Sequence, residues 1–83
     1  MDEISNQEAV VVITTLPNLE QAKMFAHQVM ERRLAACCNI IPNITSIYRW
    51  KGELTEDQEC LLEMKTVKDR YSKLDKLIHE CRN

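Results

Sequence analysis

The run "NITSIYRW", residues 43–50, alternates side chain by side chain, follows a proline and shortly precedes the chain's only glycine. A period of two marks a strand, with Ile44, Ser46, Tyr48 and Trp50 on one face and Thr45, Ile47 and Arg49 on the other. Pro42 has no N–H to give to a ladder. It therefore belongs at a bulge or on an edge, dividing "ACCNII" from "NITSIYRW" without ending the strand. "KGEL" then supplies Gly52 for a turn, and "ECLLEMKT", Glu59 to Thr66, returns as an antiparallel strand. The acidic "TEDQE" between them reads as a solvated connection. Eighty-three residues make one small domain with a thin core, which needs metals, disulfides or association with other chains for stability. Association is the help expected here.

The remaining elements follow from periodicity and punctuation. "AVVVITT", Ala9 to Thr15, is an unbroken β-branched run, the pattern of a strand buried on both faces, and is expected at the centre of a sheet. Pro17 breaks it, and Asn18 with Gln21 three positions on forms a capping pair that opens a helix. Ala22, Phe25, Ala26, Val29 and Met30 recur as one apolar stripe, with Glu20, Lys23, His27 and Glu31 opposite. A second capping pair, Thr66 and Asp69, precedes a stripe of Val67, Tyr71, Leu74, Ile78 and Cys81. The order strand, helix, strand, strand, helix predicts an α+β fold, the ferredoxin-like split βαβ sandwich with its final strand missing. Residues 1–8 read as a polar tail and 9–83 as a single, C-terminally incomplete domain.

Charge and cysteine usage narrow the function classes. A net charge of −2 with scattered lysines and arginines argues against nucleic acid as partner. The start "MDEISNQEA" has neither basic nor apolar leader character, and no stretch approaches membrane-spanning length, so a cytoplasmic protein without a membrane partner is expected. Cys37 and Cys38 are neighbours, and without a leader the four cysteines read as free thiols. The "NIT" at Asn43 to Thr45 matches a glycosylation acceptor, which would require secretion.

From about Val10 to Ile78, most strongly through "ERRLAACCNIIPNITSIYRWKGEL" and with support in "ITTLPNLEQA" and "LLEMKT", the chain resembles the CutA family of divalent-cation tolerance proteins. The resemblance implies a ferredoxin-like fold, a homotrimer whose long second and third strands pair between subunits, and association with divalent metal tolerance. It implies a protein that is not an enzyme. Two departures stand out. The family continues beyond its second helix with a His-Pro-Tyr-Glu segment and further elements, whereas this chain reads "HECRN". Where some members carry a copper-binding cysteine at the end of the first strand this chain has Thr14, and near the histidines after the second helix it has Cys81 and Arg82. Cys37 matches a family cysteine, in "AAC".

Candidate chemistry is correspondingly sparse. A strand sends Cys37 and Cys38 to opposite faces, so the pair does not chelate one metal, and no C-x-x-C or H-x-x-x-H spacing supports zinc. Core thiols are the ordinary reading. Cys37 and Cys81 remain the metal candidates, for copper or another divalent cation, with ligands drawn from other chains; no further cofactor is expected. His27 and His79 are not placed by sequence beside a thiol, so a cysteine-dependent enzyme is the least supported class. By analogy with the family's trimer clefts, Lys65 would present a cation near Tyr48 and Glu59, and Tyr48 and Trp50 would anchor a subunit contact. Met24, Met30 and Met64 are not spaced as a soft-metal array. The competing class is a trimeric small-molecule-sensing or protein-interaction module without a metal function.

Overall fold

The structure is a computed structural model and describes residues 8–81. Strand β1 spans Ala9–Leu16, helix α1 Leu19–Glu31, strand β2 Cys37–Trp50, strand β3 Glu53–Val67 and helix α2 Lys68–Cys81. The described strands form one sheet in the order β1-β3-β2, and β3 is antiparallel to both neighbours. It follows that β1 and β2 run parallel with β3 inserted between them. This is the split βαβ arrangement expected, with both helices on one face of the sheet. Of the expected polar tail, only Glu8 lies within the described residues; its carbonyl accepts from the Lys68 N–H at 3.1 Å.

The core lies between that face and the helices. On β3, Cys60, Leu62, Met64 and Thr66 are buried while Leu61, Glu63 and Lys65 between them are only half-buried, the alternation of a strand covered on one side. From above, α1 contributes Ala22, Phe25, Ala26 and Val29, and α2 contributes Leu74, Leu77 and Ile78. Each large apolar side chain fully enclosed here, such as Leu62 or Leu74, contributes about 1.5–3 kcal/mol. The Asn18 cap forms as expected: its Oδ1 accepts from the Gln21 N–H at 2.8 Å.

Five expectations need correction. β1 stands at the edge of the described sheet and leaves Val11 and Ile13 exposed, because its outer face has no helix layer. Met30 falls outside the buried stripe of α1. β3 begins at Glu53, so "TEDQE" is strand and not connection. The tight turn at Lys51 (φ 51°) and Gly52 (φ 83°) starts pairing at once, and the hydrogen-bond ladder outweighs the poor strand propensity of the acids. Finally, Thr66 is no helix cap. It lies fully buried in β3, its hydroxyl donating to the Leu34 carbonyl at 2.6 Å, and the buried face of α2 turns to Leu74, Leu77 and Ile78, leaving Tyr71 and Cys81 exposed.

Pro42 acts as expected. Pairing passes from Ile41↔Leu61 to Ile44↔Glu59, so β2 spends one residue more than β3 at this point, and Asn43 takes a left-handed conformation (φ 60°). The strand continues past the bulge to Trp50, beyond the helices. The molecule is accordingly elongated, 44 × 24 × 19 Å.

Candidate functional site

The sheet face away from the helices is the surface on which most candidate residues meet. Register places Val11, Lys65 and Cys37 in one cross-strand row, Ile13, Glu63 and Asn39 in the next, and Thr15, Leu61 and Ile41 in a third. Val11 and Ile13 are each 57% exposed and Ile41 is 51% exposed, so aliphatic side chains border a polar row. In that row the Asn39 side-chain amide donates to the Glu63 carboxylate at 3.2 Å and lies 3.7 Å from the Cys37 sulfur. The two cysteines divide between the faces as the strand demands. Cys38 packs against the core, and its burial, with the neighbouring Cys37 as the lesser cause, pushes its pKa up to about 11.

Beyond the bulge the same face carries Ile44 opposite Glu59, Ser46 opposite Asp57, Tyr48 opposite Thr55 and Trp50 opposite Glu53. The Tyr48 hydroxyl donates to the Asp57 carboxylate, and that bond is the main reason its pKa is raised. Trp50 is 61% exposed, with the Lys51 ammonium 5.7 Å from its ring centroid. Ile47 and Leu54 are exposed on the reverse side of the hairpin. A projecting hairpin with apolar groups on both faces is an unusual thing for a solitary small chain to present to water.

The candidate residues distribute unevenly over this surface. Glu59 and Lys65 share the open face, but Lys65 stands ten residues along β3 from Thr55, the partner of Tyr48, a span of roughly 33 Å. Within one chain they line no common cleft. Cys37 borders a shallow cavity with His27 and Met30, whereas Cys81, exposed at the end of α2, borders another with Met24 and Phe25, its sulfur 3.9 Å from Gln28 Oε1. Among the described residues no three His, Cys, Asp or Glu side chains are grouped to hold a metal ion. The described residues of a single chain therefore supply isolated soft donors and not a complete coordination sphere. His79 pairs with Asp75 of its own helix, 3.5 Å apart. Sequence reasoning missed the Asn39–Glu63 and Tyr48–Asp57 pairs, for which only the register of β3 could have given a signal.

Comparison with known proteins gives this arrangement its relatives. The family described as CutA1 divalent ion tolerance protein matches residues 10–83. The chain belongs to the CutA1 family. The divalent-cation tolerance protein CutA of Thermus thermophilus is 53% identical over 64 residues, covering 77% of this chain and 62% of that protein. The CutA homolog of Xenopus laevis is 52% identical over 64 residues, 77% of this chain and 42% of its own length. Among solved structures, CutA1 from Thermus thermophilus superposes with a TM-score of 0.80 at 50% identity, covering 82% of this chain and 66% of that one. CutA1 from Oryza sativa gives 0.85 at 38% identity, covering 87% and 66%. The chain thus spans about two thirds or less of these CutA relatives, and its βαββα order is the part of the CutA1 fold it shares with them.

Proposed function

We propose that this chain acts as a non-enzymatic, cytoplasmic CutA-type subunit in divalent-cation tolerance, assembled as a homotrimer through the open sheet face and the projecting hairpin. The observation that carries this reading is the apolar exposure concentrated there: Val11, Ile13 and Ile41 beside the polar row, and Ile47, Trp50 and Leu54 on the hairpin. Sister subunits would remove these groups from water at roughly 25 cal/mol per Å². Four free thiols suit a reducing compartment, and no described helix is long and apolar enough to cross a membrane.

Copper belongs to this reading as a weakly held ligand. Cys37 opens onto the proposed contact face, so its sulfur would join donors from other subunits. Sedimentation analysis at micromolar concentration tests the assembly, and copper titration of reduced wild type, Cys37→Ser and Cys81→Ser tests the ligands. A monomer refutes the trimer; affinities that ignore both substitutions refute thiol ligation.

A second reading, a trimeric module sensing a small molecule or a protein, draws on Tyr48, Glu59 and Lys65. They share one face but are too far apart to form a cleft within one chain. A trimer that binds no copper in the same titration favours this alternative.

A further inference from the structure

Arginines and lysines scattered along the sequence are gathered by the fold at one end of the helix layer. Helix α1 stops in a Schellman motif: the Leu34 N–H bonds to the Val29 carbonyl and the Arg33 N–H to the Met30 carbonyl, each at 3.0 Å. Arg33 occupies the left-handed position of that motif (φ 55°), where glycine is the usual residue. Arg32, beside it, turns into a cleft of about 340 Å³ between this stop and α2, shared with Leu34, Lys73, Lys76, Leu77 and Glu80. Arg33 and Arg70 border an adjoining cleft with Glu31, and Arg70 is held there by donating to the Arg33 carbonyl at 2.6 Å.

Three features suit the first cleft to an anion. Lys73 and Lys76 lie three residues apart, so two like charges repel across one helix face. Among the described residues neither they nor Arg32 forms an ion pair with a carboxylate. The floor is apolar, with Leu34 and Leu77 both buried, and a low-dielectric wall concentrates the field of the cations above it. We propose that this cleft binds a small phosphate-bearing anion of pyrophosphate size. The Arg32 guanidinium offers a two-pronged contact to one phosphate, while Lys73 and Lys76 act as point charges on the other. Glu80 opposes the ligand and limits affinity.

The test is an amide-resonance titration of the full chain with sodium pyrophosphate, with inorganic phosphate and sodium chloride at matched ionic strength as parallel arms. Saturable shifts at Arg32, Leu34, Lys73 and Leu77 are expected, stronger for pyrophosphate than for phosphate. Arg32→Gln and Lys76→Gln should each weaken binding by about tenfold, Glu80→Gln should tighten it, and Lys51→Gln on the hairpin turn should leave it unchanged. Arg32, Lys73 and Lys76 are exposed, so their variants should fold; Lys73→Gln serves as the independent replacement if Arg32→Gln does not. Shifts that never saturate, that chloride reproduces, or that survive Arg32→Gln and Lys76→Gln would overturn the proposal.

Discussion

Replacing Ile13 by alanine tests the role of the open sheet face most directly. Ile13 sits mid-strand in β1, opposite Glu63, with 57% of its surface exposed. Truncation removes three carbon groups worth about 0.8 kcal/mol each on full burial, which scales to about 1.4 kcal/mol for the fraction an assembly would newly cover. Over three subunits this comes to about 4 kcal/mol, roughly a thousandfold in the trimer association constant. Because that constant carries the square of concentration, the dissociation midpoint should rise roughly 30-fold. Sedimentation velocity across a dilution series of wild type and Ile13→Ala measures this, with His27→Ala on the exposed side of α1 as the control. If the Ile13→Ala midpoint lies within about threefold of wild type, the face is not buried by association and the reasoning fails.

Thr66→Val keeps the shape of the side chain but leaves the Leu34 carbonyl without its buried donor, and should cost about 2 kcal/mol. Urea unfolding at fixed protein concentration checks this, and an unchanged midpoint would mean that another group takes over the bond. Asn18→Ala should destabilise α1 by about 1 kcal/mol while Asn18→Gly costs only a few tenths, since the cap bond to Gln21 sits in extended backbone that glycine also adopts. Cys38 gives a pH signature. Its folded pKa of about 11 lies above the ordinary 9.0, so the stability tied to its neutral thiol is complete below pH 9 and declines as pH rises toward 11. Cys38→Ala should show a shallower alkaline fall in urea midpoint than wild type; identical slopes would contradict a desolvated thiol.

Local punctuation was legible because it acts over a few residues. Asn18 caps α1 by bonding three positions ahead, Pro42 has no N–H wherever the chain takes it, and Gly52 accepts positive φ without strain. Misreadings arose where a neighbour decided. "AVVVITT" has the composition of a doubly buried strand, yet only one of its faces meets a helix. "TEDQE" has the composition of a loop, yet the turn beside it delivers a ladder partner. Thr66 looked like a cap, but β3 carries it into the buried layer beneath the helices, where its hydroxyl meets the Leu34 carbonyl.

The amino-acid order by itself determined the element types and their succession, and the Leu-Ala-Ala-Cys to Trp-Lys-Gly segment was enough to point to the CutA family, because side-chain period, caps and turn residues are properties of short segments. Which charges face one another was left to the tertiary structure. Arg32 and Lys76 are 44 positions apart and share a cleft only because α1 and α2 end on the same side of the sheet, whereas Tyr48 and Lys65, much nearer in sequence, are held far apart by an extended strand. Electrostatic grouping depends on distance in space, and that distance is set by how the layers pack.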